Sequence, residues 1–135
     1  MKRWLVLCFT ALFLFGAPLS VFSGEPVQIE VLYMNHGPVR PTLRELEKLF
    51  TGYGDKIAVH RYEFFSEEGK RFKAEKGITG HVPLVLWIDG KSTLKVNGTQ
   101  VGFRGFPTGS GPASFQGKWD LEILKKALDQ ETRKN

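Results

Sequence analysis

Apolar and polar positions alternate from Val27 onward. Val27, Ile29, Val31 and Tyr33 interleave with Gln28, Glu30 and Leu32, a mostly period-2 pattern that predicts a first strand. Past the turn His36-Gly37-Pro38 the period changes. Leu43, Leu46, Leu49 and Phe50 fall at i, i+3, i+6 and i+7, one stripe of an amphipathic helix that Gly52 and Gly54 end. Its start is open between two signals: Thr42 with Glu45 as a capping box, or Pro38 or Pro41 in the first helical turn. Ile57, Val59 and the run Arg61 to Phe64 predict a second strand. Ser66-Glu67-Glu68 reads as a cap with acidic first-turn residues, opening a short helix through Phe72 and Ala74 that stops at Gly77. Leu84 to Ile88 is uniformly apolar, as a central buried strand should be. Asp89-Gly90 turns it back, and Asn97-Gly98 is a hairpin signal between Leu94–Val96 and Val101–Phe103. After a Gly/Pro-rich loop from 105 to 117, Asp120 is placed to cap a last helix carrying Leu121, Leu124, Ala127 and Leu128. The charged tail from Glu131 is expected to fray.

The 135 residues suffice for one domain and not for two. Ahead of the alternating pattern lies a segment of another kind. Lys2 and Arg3 precede Trp4 to Phe15, apolar but for Thr10, and Gly16 and Pro18 break the run before Val21-Phe22-Ser23. Residues 1–23 therefore read as a secretory signal peptide, with an uncleaved anchor as the alternative, and 24–135 as the domain. The domain is expected to be carried across the inner membrane, into the periplasm if the source is a Gram-negative bacterium. Membrane contact is expected only through that segment if it is not removed. Cys8 lies inside the apolar run rather than after it, so it does not read as a lipoprotein cysteine.

Charge and cysteine narrow the chemistry. The formal net charge is +5, and without Lys2 and Arg3 the balance is 17 basic to 14 acidic residues. Those charges are scattered, with no basic run interleaved with aromatics, which argues against nucleic acid as a partner. Cys8 is the single cysteine, so residues 24–135 have neither an attacking nor a resolving thiol. No disulfide staples the domain, and its stability must come from the core.

Two stretches together carry a family resemblance. One is Tyr33-Met34-Asn35-His36-Gly37-Pro38-Val39-Arg40-Pro41, where a strand pattern gives way to a helix; the other is Val82-Pro83 before a hydrophobic strand and an Asp-Gly turn. With the order β-α-β-α-β-β, room for one added strand, then α, they resemble a thioredoxin-fold protein over about residues 27 to 130. The resemblance implies an α/β fold with a central mixed sheet of four to five strands flanked by helices. It also implies a cis peptide bond at Val82-Pro83. The family's Cys-Gly-Pro-Cys corresponds to His36-Gly37-Pro38-Val39: Gly37 and Pro38 match, both cysteines are replaced, and Arg40 keeps the following basic residue. Asn35 stands where the family has tryptophan. The fold is implied; the oxidoreductase activity is not.

The site expectations follow from that likeness. An extended polypeptide or envelope protein is expected in a groove between the Asn35, His36, Gly37, Pro38, Val39, Arg40 turn and the His81, Val82, Pro83 edge. Such recognition uses main-chain hydrogen bonds and needs no thiol or cofactor. The alternative is a metal or small ligand held by His36 and His81, which the fold would bring close; no third ligand announces itself. An enzyme of another chemistry ranks last, for no catalytic set is recognisable. His60 reads as structural. The loop from Gly105 to Pro112 lacks the Gly-Lys-Ser/Thr ending of a P-loop. Its flanking Phe103, Phe106, Phe115 and Trp119 form a partner surface or fold the loop onto the core, and the second reading is preferred.

Overall fold

The computed structural model describes residues 24–135; the expected signal peptide lies outside them. No helix among the described residues is long and apolar enough to cross a membrane.

Strand β1 (Val27–Tyr33) lies between β2 (Ile57–Glu63), parallel to it, and β3 (Leu84–Ile88), antiparallel. The helix α1 (Val39–Thr51) supplies the crossover from β1 to β2 that a parallel pair requires. Helix α2 (Glu67–Glu75) connects β2 to β3. A hairpin of β4 (Thr93–Val96) and β5 (Thr99–Gly102) follows, then α3 (Leu121–Thr132).

The pleat divides the core in two. Val27, Ile29 and Val31 with Leu84, Leu86 and Ile88 face α1, α3 and the hairpin, meeting Leu46, Phe50, Leu94, Val101, Leu124 and Leu128. Leu32 and Met34 with Val85 and Trp87 face the opposite side, where Phe64, Phe72 and Val82 close over them. Residues of both parities are buried in β3, which explains its unbroken apolar run. Tyr62 stacks on Phe72 at 3.9 Å between centroids, and Phe72 meets Trp87 edge-on at 5.3 Å.

The turn signals act through backbone geometry. Asp89 and Gly90, and likewise Asn97 and Gly98, pair positive φ values of 47° and 75°, and 47° and 86°. Those are the central residues of type I′ turns. The resulting hairpin is not a full member of the central sheet, which has three strands rather than the expected four or five. Two-stranded ribbons twist more than a wide sheet, and here the ribbon meets β3 at only a few points. Leu86 N–H donates to Phe103 O at 2.9 Å, and Gly105 N–H donates to Leu84 O at 2.8 Å.

Of the two helix starts, the proline signal wins. Pro38 precedes α1, Pro41 sits in its first turn, and Thr42 lies inside the helix with its Oγ1 3.1 Å from Ser110 Oγ. The other caps form as read: Ser66 Oγ accepts from Gly69 N–H, and Asp120 Oδ1 from Ile123 N–H. The tail is tied rather than frayed. Helix α3 runs to Thr132, and Asn135 Nδ2 donates to Glu25 O at 3.0 Å.

Candidate functional site

Proline 83 enters β3 through a trans bond; among the described residues no peptide bond is cis. The trans isomer is the lower in energy by about 0.5–1 kcal/mol. Pro83 O accepts from Met34 N–H at 2.9 Å, extending the β1–β3 ladder by one rung. This corrects the cis bond that the family resemblance implied.

Hydrogen bonding shows where the opposite edge is open. Successive residues of a strand send their N–H and C=O to opposite sides. Pro83 turns to β1, while Leu84 O and Leu86 N–H turn to the segment 103–105. Val82 lies two residues before β3, across a bend at Pro83, and the chain after Gly105 has left the ladder. Phe106 N–H donates instead to Phe115 O, and Gly117 N–H to Phe106 O, closing the Gly/Pro loop on itself. Among the described residues nothing pairs with the backbone of Val82.

A groove of about 430 Å³ opens at that point, lined by His81, Val82, Pro83, Arg104, Gly105, Ser114, Phe115 and Gln116. Val82 and Pro83 form a buried apolar floor, whereas His81, Arg104 and Ser114 are exposed. Phe115, 39% exposed, tilts against the His81 ring at 5.5 Å between centroids. No carboxylate lines the groove. Arg104 has no carboxylate partner within ion-pair distance among the described residues.

Of the residues singled out from sequence, His81, Val82 and Pro83 line this groove, and Asn35 to Arg40 do not. The turn is tied to the Pro83 segment through Met34, and inside itself by the bond from Val39 N–H to His36 O. Asn35, Gly37, Pro38 and Arg40 are exposed, His36 is half-buried, and Val39 is wholly buried, so its side chain is closed to a ligand. Among the described residues no three potential metal-ligating side chains form a group. Arg104, Ser114 and Gln116 carried no signal in the sequence, because only the path of the loop brings them to Pro83.

The loop aromatics divide in the same way. Phe103, Phe106 and Trp119 are buried in the core, and Phe115 alone of the four is exposed. Glycine makes the closure possible. A Cβ on Gly117 would stand 2.1 Å from Arg104 O, and one on Gly111 2.5 Å from the Phe106 ring. On the far side of the loop lies a second cleft, about 410 Å³, between Pro41, Thr42 and Glu45 of α1, Pro107 to Ser110, and Asp120 to Glu122. Its lining bears three carboxylates and no cation.

The chain matches no protein-family model, and no curated protein matches it significantly.

Proposed function

We propose that the domain is a redox-inactive, thioredoxin-like binding module of the cell envelope that holds an extended polypeptide beside Val82 and Pro83. The observation that carries this reading is the unpaired backbone of Val82, two residues before β3, at a groove whose apolar floor it forms with Pro83. A peptide laid there pairs with the Val82 backbone just beyond the point where the segment 103–105 leaves β3. Main-chain bonds give affinity, and flanking side chains give selectivity. The β-α-β order and the His36-Gly37-Pro38-Val39 turn support the family likeness. The absence of cysteine from residues 24–135 removes disulfide exchange from its repertoire.

The test is capture of a partner from envelope extract, with and without chelator, using the wild type, Asn35→Arg, Val82→Arg and Ser114→Arg. Ser114 is exposed, so its variant narrows the groove without touching the core. Loss of one discrete partner with Val82→Arg and Ser114→Arg is expected, and chelator should have no effect. Unchanged binding by every variant excludes the groove. Loss on chelation, with metal in the purified protein, favours His36 and His81 instead.

A further inference from the structure

We infer that the groove beside Pro83 selects segments carrying a carboxylate side chain, which Arg104 receives. This rests on the groove reading above and adds the class of partner to it. The argument begins with charge. The groove holds a guanidinium, an imidazole and no acid, while the cleft across the 105–117 loop holds Glu45, Asp120 and Glu122 and no base. The loop thus divides a cationic recess from an anionic one, although the charges of the domain are mixed along the sequence.

Geometry sharpens it. Arg104 directly follows the segment that pairs with β3, and it sits opposite Val85 in an isolated bridge. Its backbone is therefore held by the sheet. Its side chain is exposed and has no ion pair among the described residues, whereas Arg61, also exposed, is paired with Glu47. A planar guanidinium presents two parallel donors to a carboxylate, a match that neither an amide nor a hydroxyl reproduces. A strand added at Val82 projects alternate side chains to one face at a spacing of about 6.6 Å. One acidic side chain on that face meets Arg104, and an apolar neighbour rests on Phe115 and the His81 ring. The occupant is an extended acidic segment of another polypeptide.

The experiment pans random dodecapeptides displayed on phage against the immobilised full chain. Enriched sequences are then synthesised with fluorescein, and their affinities are read by anisotropy. Enrichment in Asp or Glu is expected. Glu→Gln in such a peptide should weaken binding about threefold to fivefold at low salt. Arg104→Glu should reverse the preference, and added salt should erode it. Arg104→Lys keeps the charge without the fork and should retain part of it.

Peptides without carboxylates that are lost with Ser114→Arg and Val82→Arg overturn the acidic preference and leave the groove reading intact. Acidic peptides that bind Arg104→Glu as well as wild type also overturn it. No enriched peptide, or peptides indifferent to all groove variants, overturns both.

Discussion

Trp119 is wholly buried against Phe103, their rings edge-on at 5.7 Å, and its indole N–H has no partner among the described residues. Burial of that ring anchors the end of the Gly/Pro loop, but its unpaired donor works against it. Trp119→Ala should therefore cost about 3–5 kcal/mol, and Trp119→Phe less than about 1.5 kcal/mol, because it removes the donor along with the lost area. Urea unfolding of the two variants checks this; equal losses would mean that the N–H is satisfied. A second side chain acts through its charge. Asp129 accepts from Lys125 and from the Tyr53 hydroxyl, at 2.8 and 2.7 Å. Those bonds, with the Lys125 bond foremost, hold the carboxyl below its usual range. Burial and the same carboxylate raise the Tyr53 phenol. A depressed folded-state pKa gives stability that is present above the ordinary carboxylate range and is lost as pH falls through the folded value. Stability measured from pH 6 to pH 2 should fall less steeply in Asp129→Asn than in wild type. Parallel curves would exclude the link.

At the scale of elements, α2 is held by more than Phe72. Lys76, just past its end, reaches Glu30 of β1 at 2.7 Å, with the two side chains 17% and 19% exposed. Its ammonium also lies 5.1 Å from the Phe72 ring centroid and 5.5 Å from that of Trp87. The pair is more shielded than the helix-surface pairs such as Lys70–Glu67, which contribute little. Lys76→Ala should cost about 1–3 kcal/mol, and Lys70→Ala less than about 0.5 kcal/mol. Comparable losses in thermal unfolding would sink that distinction. The caps of α2 and α3 were legible because a Ser or Asp before a helical pattern satisfies backbone N–H groups within three residues of itself. The start of α1 was ambiguous for the same reason of locality. Thr42 suited a cap, and the competing partner that claims its hydroxyl, Ser110, lies far along the chain.

Over the whole molecule, the two apolar clusters share β1 and β3, one on each face of the sheet. Neither face can be lost without exposing strands that the other needs. Leu124→Ala and Phe72→Ala, one in each cluster, should cost about 2–5 and 3–5 kcal/mol and should shift one common transition. Separate transitions followed by fluorescence and by circular dichroism would show the halves to be independent.

What the sequence determined by itself is local. Periods of 2 and near 3.6, paired turn residues with positive φ, and caps within one helical turn are set by neighbouring residues, and the strands and helices came out where those signals stood. The same is true of one exclusion, since a domain without cysteine cannot exchange disulfides. The tertiary structure decided whatever depends on residues distant in the chain. It let the hairpin meet the three-stranded sheet at only a few points, left Val82-Pro83 trans, buried Val39, and turned three of four loop aromatics inward. It also brought Arg104 and Phe115 to a groove that only His81, Val82 and Pro83 had foreshadowed. The physical reason is that a backbone conformation follows from steric and hydrogen-bonding terms a few residues long. A site is instead a meeting of surfaces, and its members are chosen by how the elements pack.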